Sequence, residues 1–551
     1  MAMQCAALLF AVALPVMLSA QAPTVIHVHS AVSLGPFRPV FSYFGYDEPN
    51  FTYMRFGPKL VGELAHLSAA PVYIRVHHLL CTGDGTAALK WGSTNAYTED
   101  AAGRPIYDWT IVDRIFDTYV KAGAMPFVEV GFMPQALSIH PDPYTRNWPS
   151  PDDGQGWSYP PRDYARWGEL VRRWVAHCVQ RYGRRAVGAW YWEVWNEPDI
   201  SYWKGTAEEY DRLYDYAVAA VKSVVPAARV GGPATTSPRN AHAAGYLRQF
   251  LAHCTAKRIP LDFITFHAKG QPQLVDGHVR MGLAREMEDV AAGMRIVAEF
   301  PALARLPIVL SEADPEGCAA CSARDNPQNA YRNGPLYAAY TAAALGAMLQ
   351  LADRHHANLE GSLTWAFEFE EQPYFAGFRT LATNGIDKPV LNVFRMLGLM
   401  APGVGERVQT ESAGAVGLDA ILAGGVRGQP HLDALAVRAA HELAALVWNY
   451  HDDDIPAADA AVSLQIDGLP AAHTRVLLHH YRIDGGHSNA YAAWLRMGSP
   501  QQSTAAQYAE LEAAGQLALL GSPEWLSASQ GTLSLTFPLP RQAVSLIRIT
   551  W

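Results

Sequence analysis

Two glutamates stand where a pair of carboxylates could do chemistry. Glu197 closes a β-rich run that ends Trp195-Asn196-Glu197-Pro198, and Glu312 closes another that ends Leu310-Ser311-Glu312. Two carboxyl groups brought face to face suit cleavage of a glycosidic bond: one protonates the leaving oxygen while the other attacks the anomeric carbon. Glutamate serves both tasks, because burial and a neighbouring charge can raise one pKa while the other group stays ionised. A lone glutamate at a strand end is ordinarily an ion-pair partner. The Asn-Glu-Pro triplet, combined with a second strand-end glutamate, turns the reading to catalysis.

The elements that must position this pair follow a regular beat. From about Val40 to Phe367 eight short β-rich runs alternate with longer amphipathic stretches. The runs are Val40–Tyr46, Val72–His77, Met125–Gly131, Trp190–Asn196, Arg229–Pro233, Phe263–His267, Ile308–Glu312 and Ser362–Phe367. Helical patterns lie between them, as in Thr110–Ala122, Tyr164–Tyr182, Glu208–Val224, Met281–Glu299 and Leu336–Arg354, several preceded by Asp or Thr as a helix start requires. Eight such units predict an α/β fold, a (β/α)8 TIM barrel, whose active site lies at the C-terminal ends of the strands. An open doubly wound sheet is the rival, but no G-x-G-x-x-G follows an early strand. In a barrel, Glu197 ends strand four and Glu312 ends strand seven.

Beyond the helical run Val390–Leu399, Pro402 and Gly403 break the pattern. Short strand-like runs follow at Ala444–Asn449, Val462–Ile466, Thr474–Tyr481, Thr532–Pro538 and Ala543–Thr550, which predicts an all-β, sandwich-like accessory domain. The expected division is a signal peptide over 1–22, the catalytic barrel over 23–400 and the accessory domain over 401–551. Thr24–His29 is β-like, and residues 23–32 are candidates for pairing with that domain.

Composition narrows the function classes. With 43 Lys+Arg against 52 Asp+Glu the formal charge is −9, and no basic stripe appears, which argues against a nucleic-acid partner. Half the residues are hydrophobic and only 17% are charged, a balance that excludes a disordered chain. The apolar run Ala6–Leu18 is too short to span a bilayer, and Ala20-Gln21-Ala22 offers a cleavage site, so a periplasmic or secreted protein without a membrane partner is expected. The n-region has no Lys or Arg. Apart from Cys5 in that segment, the cysteines are Cys81, Cys178, Cys254, Cys318 and Cys321, too few and odd in number for a disulfide framework. Cys318-Ala-Ala-Cys321 reads as a loop-stapling disulfide, since neither a thioredoxin-like helix start nor a second zinc-ligand pair accompanies it.

Beyond this pair, longer motifs carry a resemblance. The chain resembles the retaining clan A glycosidases and, more specifically, glycoside hydrolase family 39, which holds β-xylosidases and α-L-iduronidases. The matching stretches include Arg75-Val76-His77, Tyr107-Asp108-Trp109, Pro126 to Pro134 with Gly131-Phe132-Met133-Pro134, Trp192 to Pro198, Asp262 to His267, Phe369-Glu370-Glu371 and Lys388-Pro389. The match continues in the β module through His480-Tyr481-Arg482-Ile483-Asp484 and His487-Ser488-Asn489-Ala490-Tyr491.

The resemblance implies Glu197 as acid/base and Glu312 as nucleophile, with the two carboxyl groups about 5–5.5 Å apart as double displacement requires. It implies that Asn196 hydrogen-bonds the sugar 2-hydroxyl, that His77 and His267 hold glycone hydroxyls, and that Glu371, or Glu370 beside it, grips ring hydroxyls after strand eight. No cofactor and no metal are expected, and the partner is an oligosaccharide or small glycoside. The implied activity is a retaining exo-glycosidase, a β-xylosidase first, with an α-L-iduronide, β-glucoside or α-L-arabinopyranoside as alternative substrates. The alternative from another class is a catalytically silent carbohydrate-binding barrel, but such a barrel would usually have lost one carboxylate.

There are departures from the family pattern. Lys269 stands where the family often has Tyr, and Ala313-Asp314-Pro315-Glu316-Gly317 follows the strand-seven glutamate where the family tends to carry Trp. A uronate would need a cation aimed at C5, and Lys269 is the nearest candidate, although a position two residues beyond His267 need not face the pocket. Bulky residues such as Phe369 or Tyr374 would close a xyloside pocket against hexoses. The pairs His77-His78, His355-His356 and His479-His480 suggest metal only weakly, because adjacent strand residues face opposite ways. Asp452-Asp453-Asp454 reads as a solvated turn before a calcium site. The polar and aromatic stretch His480 to Trp494 is expected to pack on the barrel and help form the rim of the site.

Overall fold

The fold is taken from a computed structural model that describes residues 22–146, 148, 155–470 and 474–551. The export signal expected over 1–22 lies, but for Ala22, outside the described residues. No helix among the described residues is long and apolar enough to cross a membrane.

Eight parallel strands close on themselves. In chain order they are strand one (Tyr43–Tyr46), two (Tyr73–Val76), three (Met125–Val130), four (Tyr191–Val194), five (Arg229–Thr235), six (Phe263–Lys269), seven (Ile308–Asp314) and eight (Leu359–Trp365). Strand eight returns to strand one, Leu363 facing Tyr43, so the barrel has no edge. The main helices after them are Gly57–Ala65, Thr110–Ala122, Tyr164–Tyr182, Ala207–Val224, Ala241–Lys257, Leu283–Ala298, Pro335–His355 and Pro389–Gly398. Local chemistry sets several helix starts. The Asp163 side chain accepts from the amides of Ala165 and Arg166, and Thr206 forms a capping box with Glu209. Gly123, at φ 93°, ends the helix after strand two in the left-handed conformation that glycine takes without a Cβ penalty.

The barrel interior is layered, because every second strand residue faces inward. Tyr43, Phe127, Tyr191 and Phe263 form an aromatic floor near the N-terminal ends, Phe127 and Phe263 each stacking or edging on Tyr191 at 4.9 Å. Two residues further along, Arg75, Glu129 and Glu193 make a charged middle layer, each fully buried. The next layer is the mouth.

Outside the barrel stands a second, ten-stranded sheet. Thr24–Pro36 lies within it, antiparallel to Glu406–Ser412 and parallel to Ala460–Asp467, and so ties the N-terminal part of the chain to the C-terminal part. Ile26, Val28, Val447, Leu464 and Ile547 are among the residues of its separate apolar core. The module also carries helices that the strand-like reading did not anticipate, Leu418–Gly424, Ala490–Arg496 and Ala505–Gly515. Polar caps start the last two: Asn489 accepts from Ala492 N, and Thr504 forms a capping box with Gln507. These two helices dock beside the barrel. Tyr491 and Trp494 lie 5.3 and 5.1 Å from Phe375, the Tyr374 amide donates to Gln501, and Asn392 Nδ2 donates to the carbonyls of Ser488 and Gly515. The stretch expected to meet the barrel does meet it, against the segment that follows strand eight.

Candidate active site

The mouth is built upward from Arg75. Its position on strand two points the guanidinium into the barrel, where Nε donates to Glu193 at 2.5 Å and Nη2 lies 3.0 Å from Glu129. Nη1 reaches Glu312 Oε1 at 3.3 Å, and Nη2 also donates to Asn196 Oδ1 at 2.8 Å. Three carboxylates around one fully buried guanidinium raise its pKa against the burial that would lower it. The Arg75 bond also fixes the Asn196 amide. With Oδ1 engaged, the buried Nδ2 is left without a protein partner, a donor available to a ligand hydroxyl.

Glu312 is enclosed on both oxygens. Oε1 lies 3.3 Å from Arg75 and 3.4 Å from His77 Nε2, while Oε2 lies 2.8 Å from Lys269 Nζ and 3.8 Å from His267 Nδ1. Burial alone would raise this carboxyl, but His267, Lys269 and His77 together hold it well below the usual glutamate range. It is ionised at neutral pH. His77 is held in turn by Glu129 on Nδ1 and by Asp47 Oδ1, 3.2 Å from Nε2. Burial opposes its charge, yet the adjoining carboxylates, Glu129 foremost, push its pKa up to about 9. Its ring leans on Trp365 at 4.3 Å. Gly45 on strand one leaves room for that indole, since a Cβ there would sit 2.4 Å from Trp365 Cζ3.

Glu197 is the more open of the pair, its side chain 17% exposed against 6% for Glu312. It is held on an irregular backbone: Trp195 and Glu197 have φ of 72° and 44°, and the Glu197 amide donates to Ala234, itself at φ 53°. Non-glycine residues in this region cost roughly 1–3 kcal/mol each, and such strain concentrates where a side chain must be aimed. Its Oε1 lies 2.8 Å from His267 Nδ1. Donor atoms of Glu197, His267 and Glu312 lie within 4.8 Å of one another. One oxygen of each glutamate thus lies within 4.8 Å of the other, an approach in keeping with the close carboxylate pairs of double displacement, about 5–5.5 Å.

The structure thus gathers Glu197, Glu312, Asn196, His77 and His267 at one mouth. It does not bring Glu370 or Glu371 there. The Glu370 carboxylate accepts from the amides of Phe56 and Gly57 at the start of the first barrel helix, where orphan N–H groups make it a cap. Glu371 is exposed at φ 64°, with its amide on Asn384, in an outer cleft with Tyr374 and Tyr508. Among the described residues neither carboxylate forms a hydrogen bond or ion pair with the strand-end cluster. Phe369 is buried between Phe51 and Phe378.

Lys269 does face the site. Strand six continues through it, so the period-two alternation carries it to the same side as His267. Arg75, Glu129 and Glu193 were the residues sequence reasoning passed over as site groups. Their signal was a charged residue at every second position of otherwise apolar strands, as in Tyr73-x-Arg75-x-His77 and Tyr191-x-Glu193.

Glu197, His267 and Glu312 are also the group, among the described residues, whose donor atoms converge closely enough to hold a metal ion. Lys269 and Arg75, already paired with Glu312, oppose a cation there by charge. The acidic run is otherwise employed: Asp452 accepts from Val426 N and Tyr450 Oη, and Asp453 pairs with Arg280 and His278. Cys318 and Cys321 are joined as a disulfide.

Comparison with known proteins agrees with this geometry. The model of the glycosyl hydrolases family 39 matches residues 66–518. A β-xylosidase of Geobacillus stearothermophilus is 26% identical over 87% of this chain and 86% of its own length, and one of Caldicellulosiruptor saccharolyticus is 28% identical over 74% and 76%. The human α-L-iduronidase is 29% identical over 63% of this chain and 54% of its own. Among solved structures, the family 39 enzyme of Xanthomonas axonopodis pv. citri superposes with a TM-score of 0.74 at 22% identity, covering 96% of this chain and 98% of that one. With its barrel, its strand-four and strand-seven glutamates and a family match over most of its length, the chain belongs to the glycosyl hydrolases of family 39.

Proposed function

We propose that the protein is a β-xylosidase that releases xylose from short xylo-oligosaccharides by double displacement. One observation carries the mechanism: an ionised Glu312, enclosed by Arg75, His77 and Lys269, stands within 4.8 Å of the more open Glu197. Glu312 attacks the anomeric carbon as Glu197 donates its proton to the departing glycosidic oxygen. The glycosyl-enzyme ester is then cleaved by a water whose proton passes to Glu197, restoring both groups. Asn196 Nδ2 donates to the sugar 2-hydroxyl, an interaction that strengthens in the transition state. The β-xylosidase relatives support the glycone.

A second reading, a uronide such as an α-L-iduronide, is favoured by Lys269, whose ammonium lies at the mouth beside Glu312. That ammonium already serves two carboxylates, which makes xylose the preferred glycone. A panel of aryl glycosides tests both readings. For the aryl β-xyloside we expect kcat/KM to exceed that for the β-glucoside by at least ~10²-fold, a few kcal/mol of differential transition-state binding. Equal rates on the two sugars, or faster turnover of the iduronide, would remove the xylosidase assignment and leave the mechanism.

Export to the periplasm or outside the cell belongs to the same proposal. It is supported by the apolar N-terminal run and suits a protein with a disulfide. Fractionation of the producing cell tests it, with the mass of the exported form expected to lack residues 1–22.

A further inference from the structure

Behind Glu312 a file of charges leads away from the mouth. Lys269 Nζ lies 2.8 Å from Asp314 Oδ2, and Arg379 Nη1 lies 3.4 Å from the same oxygen. Arg379 Nη1 is also 3.3 Å from Glu316 Oε1, which Arg332 Nη2 approaches to 2.6 Å. From Glu312 to Arg332 the charges alternate in sign, and the side chains of Asp314, Arg379 and Arg332 are fully buried. Each such charge is compensated only while its neighbours stay in place.

The file ends on a covalently closed turn. The carbonyls of Cys318, Ala319 and Cys321 accept from Arg332 at 2.7, 3.4 and 2.7 Å. The Ala319 carbonyl also accepts from the backbone amide of Arg379 at 3.0 Å, and Cys318 N donates to Glu316 Oε2 at 2.7 Å. One four-residue turn therefore contacts the Arg332 guanidinium, the Arg379 backbone and Glu316, while Arg332 also donates to the Gly377 carbonyl and the Arg379 guanidinium to the carbonyls of Trp365 and Glu316. Residues 315–326 form no helix or strand, and the bond between Cys318 and Cys321 is the covalent link in this turn, beside the hydrogen bond from Asn329 Nδ2 to the Cys321 carbonyl at 2.9 Å.

We propose that the Cys318–Cys321 disulfide positions the nucleophile from a distance, so that the enzyme is fully active only with this pair oxidised. The inference rests on Glu312 being the nucleophile, as argued under Proposed function. Cys318, Cys321, Arg332 and Arg379 act as positioning residues. A dithiol reductant delivers two electrons and two protons to the half-buried bond; the S–S bond breaks, two thiols form and the reductant closes to its own disulfide. The carbonyls then leave Arg332, and Arg379 loosens from Asp314. Asp314, left with Lys269 as its remaining counter-ion, draws that ammonium off Glu312. The groups facing Glu312 are Arg75 and His77 from strand two, Glu197 from strand four, and His267 and Lys269 from strand six, with Asp47 behind His77. Losing the Lys269 share alone raises the Glu312 pKa in part. The other cysteines among the described residues do not confuse the readout, since Cys81, Cys178 and Cys254 are buried and burial pushes their thiols up, Cys81 to about 12.

The test reduces the folded full-length enzyme with dithiothreitol, exchanges the buffer and confirms the new thiols at Cys318 and Cys321 by alkylation and peptide mapping. We expect kcat/KM on the aryl β-xyloside to fall about fivefold or more, chiefly in kcat, and its acid limb to move up by roughly half a pH unit or more. Reoxidation should reverse both, and the Cys318→Ser/Cys321→Ser variant should match the reduced enzyme. Unchanged activity and an unmoved limb in fully reduced protein overturn the proposal. So does an activity loss that only tracks loss of folded protein by circular dichroism, with the limb unmoved. Hydrogen exchange over residues 308–316 and 376–380, which needs no substrate, should rise on reduction, and no change there also overturns it. Absence of turnover on every aryl glycoside by the oxidised enzyme counts against the proposed function, while the exchange measurement still decides this inference.

Discussion

Lys269 Nζ and Glu312 Oε2 are 2.8 Å apart across the seam between strands six and seven, which places a half-buried ammonium directly on the proposed nucleophile. The nucleophile must be ionised, so activity falls as pH drops through its pKa in the folded enzyme. Lys269 helps hold that pKa down. Lys269→Met should therefore move the acid limb of kcat/KM to higher pH by about one unit, or about 1.4 kcal/mol. A limb that stays in place would show that His267 and His77 set the ionisation without Lys269.

The two glutamates should fail in different ways. Glu312→Ala should abolish turnover of every substrate. Glu197→Ala should still be glycosylated by substrates with good leaving groups but lose the base for deglycosylation, and azide should restore turnover with a β-glycosyl azide as product. A β-azide from the Glu312 variant would mean that the roles are reversed.

Arg75 is surrounded by Glu129, Glu193 and Glu312 in a fully buried layer. Replacing it with Met leaves those carboxylates without their common cation, a loss of roughly 3–5 kcal/mol. Arg75→Lys should recover little, because an ammonium cannot reproduce the fork that reaches four partners. Chemical denaturation of the two variants against wild type measures the difference.

His77 links stability to pH. Its pKa is pushed up to about 9 from 6.5, so the stability it contributes is fully present below about 6.5 and is lost as pH rises through about 9. The size is about 3 kcal/mol by the conversion for this shift. Thermal denaturation of wild type and His77→Gln should therefore differ most below neutrality and converge above pH ~9. Glu312 works in the opposite sense: its depressed carboxyl stabilises above the ordinary glutamate pKa, and that contribution is lost as pH falls. A constant gap between the two variants across this range would contradict the His77 assignment.

The accessory module should matter to the barrel. Trp494 and Tyr491 cover Phe375, and the helix Ala505–Gly515 packs with them around Leu511. A chain ended near Pro402 exposes that face and leaves Thr24–Pro36 without its neighbouring strands. We expect it to be poorly soluble or weakly active. A soluble truncation as active as the full chain would reduce the module to a passenger.

Much of the barrel was legible because its signals are local. Each strand is a short β-rich run followed by a helix, and the eight expected runs overlap the eight observed strands. Glu197 and Glu312 were visible because they end such runs. Glu370 and Glu371 show the limit, since a Glu-Glu pair after strand eight looks like a sugar grip until the loop's path turns one carboxylate onto a helix start and leaves the other exposed. The helices Ala490–Arg496 and Ala505–Gly515 were obscured in a stretch read for its strands, because short capped helices are held by the surface they cover.

The sequence by itself determined which side chains enter the barrel, because the two-residue alternation of a strand assigns each position a face regardless of its neighbours. It therefore contained Tyr73, Arg75 and His77 on one inward row and His267 with Lys269 on another. Only the tertiary structure decided who meets whom. The contact of Arg75 with Glu129, Glu193 and Glu312 depends on strand order and register around a closed sheet, and so does the approach of Glu197 to Glu312. Closure brings strand seven across from strands two and four, a distance that no local pattern records, and the buried charges then choose their partners by proximity in a medium that penalises any left alone.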